Sequence, residues 1–132
     1  MDTTPTDAPP PISREAALAA IGSDVRPLPD LSGVGLRGAN LTWARLDGAR
    51  LDGADLDGAR LREASLEGAY LRRADLGGAH LEGAYLGGAE LGGARLDGAY
   101  FTDADLGGAN LASATRAFGR SARHARSITS AG

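Results

Sequence analysis

His80 and Glu82 stand two residues apart, the spacing that puts an imidazole and a carboxylate on one side of an extended segment. Such a pair could hold a proton or bind an anion. Catalysis would need more: a nucleophile within reach of a base, and a third group to orient the base. The second histidine, His124, lies far along the chain and brings no partner. Cysteine is absent, which removes disulfides, thiolate metal sites and a thiol nucleophile. Gly33-Val34-Gly35-Leu36-Arg37-Gly38 matches G-x-G-x-x-G, and Asp55 lies near the distance at which a ribose-binding acid is sought. That motif works by opening a helix at its glycines so that N–H groups meet a pyrophosphate, and the pattern here is not helical. We therefore expect no catalytic residues, no cofactor and no metal. Seventeen acidic residues face fourteen arginines and no lysine, a net charge of -3, which is not the balance of a nucleic-acid binder.

What must position these side chains is a repeat. Leu recurs at every fifth position, at Leu31, Leu36, Leu41, Leu46, Leu51, Leu56, Leu61, Leu66, Leu71, Leu76, Leu81, Leu86, Leu91 and Leu96, then as Phe101, Leu106 and Leu111. Two residues before each sits Val34 or an alanine, from Ala39 to Ala109; two residues after it Gly predominates. A helix cannot use this pattern, because five steps at 3.6 residues per turn rotate about 140° and scatter the leucines around the cylinder. In an extended segment, by contrast, Ala and Leu point to one side. An odd period would turn the next pair to the wrong face, so the chain has to bend at each unit boundary, where Gly accepts the backbone angles. Leu51 through Leu96 and Phe101 form the expected core, with Phe101 as its one oversized member.

This Ala-x-Leu-x-Gly unit, with Asn40-Leu41, Asp55-Leu56, Asp75-Leu76, Asp105-Leu106 and Asn110-Leu111, resembles the pentapeptide-repeat family, whose consensus is Ala-(Asp/Asn)-Leu-x-x. The resemblance implies an all-β fold, a right-handed quadrilateral parallel β-helix with four units per coil. Seventeen units then make about four coils, roughly 20 Å tall at ~4.8 Å per strand. Residues twenty apart stack into outward ladders: Arg50/Tyr70/Glu90, Arg60/His80/Tyr100 and Arg45/Ser65/Tyr85/Asp105. The same stacking places Asp55, Asp57, Asp75 and Asp97 on one face, with Asp47, Glu67 and Asp105 on an adjoining one. Some members of the family resemble B-DNA in charge and shape and bind DNA gyrase, protecting it from inhibitors. Against that reading, eight arginines interleave with twelve acids between residues 31 and 113.

The repeat is expected over residues 29–113. Residues 1–11, acidic and rich in proline, are expected to be disordered. Residues 12–28 read as a helix and cap, with Ser13 as N-cap, Ile12 placed to staple against Ala17, and Gly22 ending the helix. Residues 114–132 carry four arginines and no acid and read as a mostly disordered basic tail. Nothing reads as a signal peptide or membrane span, so a cytoplasmic location is expected. The function expected is a non-enzymatic protein–protein interaction module, a monomer or an end-to-end dimer, with no nucleic-acid or membrane binding. Its candidate contact residues are Arg50, Arg60, Tyr70, His80, Tyr85, Glu90 and Tyr100. The alternative is a DNA mimic acting on a type II topoisomerase through Asp55, Asp57 and Asp75.

Overall fold

The computed structural model describes residues 10–114. The N-terminal residues 1–9, and residues 115–132 with the expected basic tail and His124, lie outside the described residues.

Residues twenty apart are joined by parallel bridges, from Gly35 with Asp55 to Glu90 with Asn110, so one circuit of the chain takes four five-residue units. Each strand-like side is reduced to a single bridging residue. On either side of that residue the Ala and Leu positions turn inward. Every Leu from Leu31 to Leu111 is buried, and so are Val34, Phe101 and the alanines from Ala39 to Ala114, except Ala44 and Ala112, which are half-buried. No polar or charged residue is buried with them among the described residues. Burying each leucine contributes about 1.5–3 kcal/mol, so the stack of leucines is the main source of stability.

The corners are β-turns. Ala39 N–H donates to the Leu36 carbonyl at 3.0 Å, and the same bond recurs in each unit up to Ala114 on Leu111. The third residue of every turn has positive φ, at seventeen positions from Gly33 to Ser113, which is the signature of a type II turn. Twelve of these residues are glycine; the other five are Trp43, Glu63, Arg73, Asp103 and Ser113. Between circuits the bonds alternate in direction: Leu61 N–H reaches up to the His80 carbonyl at 2.7 Å, and Arg60 N–H reaches down to the Ala39 carbonyl at 2.8 Å.

The Asp and Asn of the repeat have a structural task. The second residue of each turn has no backbone partner for its N–H, and the preceding Asx side chain supplies one. Asp75 Oδ1 accepts from Gly77 N–H at 2.9 Å, Asp105 Oδ1 from Gly107 N–H at 2.9 Å, and Asn110 Oδ1 from Ala112 N–H at 3.0 Å. Where the unit lacks this residue, an acid from the circuit below can substitute: Asp52 Oδ1 accepts from Arg72 N–H at 2.9 Å, and Asp47 Oδ1 from Glu67 N–H at 3.1 Å.

The N-terminal end is closed by α1 (Arg14–Gly22). Ser13 Oγ accepts from Ala16 N–H at 3.1 Å, while Ala17 and Ile21 are buried against the first circuit. Ile12, Leu18 and Leu28 pack partly against the same core. On three sides, open carbonyls of the first circuit are met from below. Arg14 Nη1 donates to the Arg37 and Gly35 carbonyls at 2.9 and 3.4 Å, and Arg26 Nη2 to the Arg45 carbonyl at 3.3 Å. Leu31 and Gly33 N–H donate to the Arg50 and Asp52 carbonyls, each at 2.9 Å. Just before this segment, the Ser32 hydroxyl and N–H hold the Asp30 carboxyl below the usual carboxylate range, with a smaller contribution from Arg50.

Candidate functional site

Four outward ladders run up the solenoid. In the first of the expected contact sets, Asn40, Arg60, His80 and Tyr100 bridge in sequence. The His80 and Tyr100 rings stack at 4.6 Å with an interplanar angle of 6°. Glu82 joins the imidazole and a guanidinium: its Oε2 lies 3.4 Å from His80 Nδ1 and its Oε1 3.4 Å from Arg62 Nε. This cluster is partly open to solvent. It can recognise a polar surface.

The second ladder holds Arg50, Tyr70, Glu90 and Asn110. The Arg72 guanidinium lies 5.7 Å from the Tyr70 ring centroid and reaches Glu90 Oε1 at 3.8 Å, and Asn110 Nδ2 donates to the same oxygen at 3.2 Å. The third holds Arg45, Ser65, Tyr85 and Asp105, with the Ser65 hydroxyl donating to Asp47. Tyr70, Tyr85 and Tyr100 are all exposed, at 40–44%. They do not share one face: each lies one circuit above and one side over from the last, so the three wind diagonally around the solenoid. A flat partner can therefore touch two of them more readily than three.

The acidic set is brought together, and two of its carboxylates are paired with arginines. Asp55 bridges to Asp75, and the carboxylates of Asp57 and Asp75 both approach Gly77. Arg37 Nη2 lies 3.9 Å from Asp57 Oδ1, and Arg95 Nη1 lies 3.6 Å from Asp75 Oδ2. The second acidic set, Asp47, Glu67 and Asp105, was expected on an adjoining face. It lies two units away from the first, half a circuit round and so on the opposite side, because four units complete each circuit. The two sets cannot form one continuous anionic surface.

Gly33 and Gly38, the outer glycines of the G-x-G-x-x-G match, are corner residues with φ of 72° and 65°, and no helix begins there. Gly92 and Gly93 floor a shallow concavity of about 610 Å³ beside Arg72 and Arg73. Among the described residues no group of three or more His, Asp or Glu side chains could hold a metal ion, and no helix is long and apolar enough to cross a membrane.

One residue was missed by reasoning from the sequence. Trp43, the only tryptophan, is 69% exposed and occupies a corner with φ 66°. The available signal was a large aromatic in the register that glycine usually fills.

The family model for pentapeptide repeats matches residues 39–78 and 79–115 in eight copies. Among solved structures, the chain is similar to a pentapeptide repeat protein from the cyanobacterium Cyanothece 51142, at 33% identity over 73% of this chain and 67% of that one, with a TM-score of 0.43. It is also similar to a pentapeptide repeat protein from the Arabidopsis thaliana thylakoid lumen, at 30% identity over 70% and 61% of the two chains, with a TM-score of 0.36. A third is QnrB1, a plasmid-mediated fluoroquinolone resistance protein, at 22% identity over 73% and 64%, with a TM-score of 0.40. The chain thus spans about two thirds or less of the length of these proteins. No curated protein matches it.

Proposed function

The chain belongs to the pentapeptide-repeat family, and from that premise we propose that it is a non-enzymatic protein–protein interaction module. The observation that carries this reading is the arrangement of the outward ladders, in which exposed tyrosines stand beside arginines on a backbone held by bonds between circuits. Tyrosines on a rigid support lose little conformational freedom on binding, and aromatic and Arg side chains are enriched where interfaces carry their energy. Tyr70 with Arg72 and Glu90, and Tyr100 with His80 and Arg60, are the contacts we assign to a partner, and Tyr85 lies between them on the diagonal.

A second reading is a DNA mimic that occupies the DNA-binding site of a type II topoisomerase, and the convergence of Asp55, Asp57 and Asp75 on one side favours it. B-DNA, however, carries one charge per ~1.7 Å along its axis, whereas Arg37 and Arg95 offset two of the three carboxylates here. The test is capture of partners from a lysate of the source cells on the immobilised full chain, repeated with Tyr70→Ala/Tyr85→Ala and with Asp55→Arg/Asp57→Arg/Asp75→Arg. Loss with the tyrosine pair supports the interaction module. Loss only with the aspartate variant, together with inhibition of gyrase supercoiling by the parent chain, replaces it with the DNA mimic.

A further inference from the structure

The first circuit of a solenoid has no circuit below it, so its downward backbone groups need other partners. On three sides the N-terminal segment reaches at least one of the carbonyls, through Arg14, Arg26, and the Leu31 and Gly33 amides. On the fourth side, Asn40 to Thr42, neither carbonyl accepts a hydrogen bond from another described residue, and Asn40 N–H donates to none. One circuit up, the equivalent groups are all used: the Arg60 carbonyl accepts from Leu41 at 2.7 Å, the Arg62 carbonyl from Trp43 at 3.0 Å, and Arg60 N–H donates to Ala39 at 2.8 Å. This side is an open strand edge with the register of the ladder already set.

The edge opens into a groove of about 380 Å³ whose walls include Leu18, Ile21, Leu41, Trp43, Arg26 and Arg45. Trp43 stands in the left-handed region that a bulky side chain adopts only at a cost in stability, although glycine fills most of the equivalent corners. Its indole is exposed beside the groove. The charge around the groove is positive. Asp24 is offset by Arg45 at 3.7 Å and Glu82 by Arg62 at 3.4 Å, while Arg26 and, on the adjoining shelf, Arg60 have no carboxylate partner among the described residues.

We propose that the Asn40–Thr42 edge binds an extended acidic segment of a protein partner, added as a parallel strand beneath the first circuit with an apolar side chain seated against Trp43. Two alternate N–H groups of that segment donate to the Asn40 and Thr42 carbonyls, and one of its carbonyls accepts from Asn40 N–H, repeating the bonds made one circuit above. Its carboxylates meet Arg26 and Arg60. The unpaired ladder groups call for a peptide backbone, and two uncompensated arginines suit a few carboxylates better than the evenly spaced phosphates of a nucleic acid. This inference rests on the interaction-module reading and adds to it a second site, which shares Arg60 with the ladder of His80 and Tyr100.

The test titrates the full chain with a capped hexapeptide alternating Glu and Leu, read by calorimetry and by the emission of Trp43, the only tryptophan. The expected result is saturable binding with a blue shift of the emission. Trp43→Gly, which keeps the corner conformation, should weaken binding about tenfold or more, and Trp43→Phe should retain most of it. Two further copies of the peptide carry N-methyl groups on alternate residues, one on the odd and one on the even positions. Only one set of amides faces the edge, so one copy should lose binding and the other keep it. Equal binding of both methylated copies reduces the interaction to charge attraction and overturns the proposal. So does equal binding of a Lys/Leu hexapeptide, preferential binding of an oligothymidine strand, or no binding at all. If the peptide is ignored while a captured partner is still lost on Tyr70→Ala/Tyr85→Ala, the edge fails and the interaction module stands.

Discussion

Gly58→Ala isolates the cost of the corner geometry. Gly58 has φ 68°, and a Cβ built there meets nothing within 4 Å, so packing and clash play no part in the outcome. What remains is the penalty for placing an L side chain in the left-handed region, about 1–2 kcal/mol. For a domain of this size each kcal/mol moves the melting temperature by about 4–8 °C, so the variant should melt roughly 4–16 °C below the parent. Gly77→Ala is the matched control. Its φ is not positive, and the new methyl would press on the ends of the Asp75 and Asp57 side chains at 3.2 and 3.3 Å, which can move, and would lie at ordinary contact distance, 3.7 Å, from the Asp97 carbonyl. It should stay within about 1 kcal/mol of the parent. In the opposite direction, Arg73→Gly relieves a φ of 59° and should raise stability by about 0.5–1 kcal/mol after the entropy cost of glycine. Thermal melts followed by circular dichroism compare the three. If Gly58→Ala melts with the parent, or Arg73→Gly lowers the melting temperature, the corners are not held by the positive-φ requirement and the argument is wrong.

Leu71 is fully buried in the middle of the stack, so Leu71→Ala should cost about 2–5 kcal/mol and Leu71→Asp should abolish the cooperative melt, since it buries an unpaired charge. Arg14→Met removes the donor to the Gly35 and Arg37 carbonyls and should cost about 1 kcal/mol in denaturant unfolding; a variant as stable as the parent would show that water replaces the guanidinium at no loss. For the captured partner, affinities at two salt concentrations should fall more for Tyr70→Ala/Tyr85→Ala than for the triple Asp→Arg variant, with a shallow salt dependence; a steep one confined to the aspartates favours the DNA mimic.

The inside and outside of this protein were legible in the order of its residues. A five-residue period with Ala and Leu two apart admits one local solution, an extended segment with both side chains inward and a bend at the boundary, and each step depends only on near neighbours. Ser13 as N-cap and the end of α1 at Gly22 follow from the same kind of local pattern. The corners were legible as a register but not residue by residue. Trp43, Glu63, Arg73, Asp103 and Ser113 adopt the glycine conformation because the bonds between circuits fix the backbone whatever the side chain. Contacts between residues twenty apart needed the closed circuit: the His80–Tyr100 stack, the bonds from Asp47 and Asp52 to the turn above, and the pairing of Arg37 and Arg95 with the acidic side. The same closure set the tyrosines on a diagonal and the two acidic sets on opposite sides, because the face a residue occupies depends on the number of units per circuit. The end of the solenoid was the least legible. That Arg14 and Arg26 would cover carbonyls, and that the Asn40–Thr42 edge would stay open beside Trp43, depends on how α1 docks against the first circuit, which no local spacing encodes.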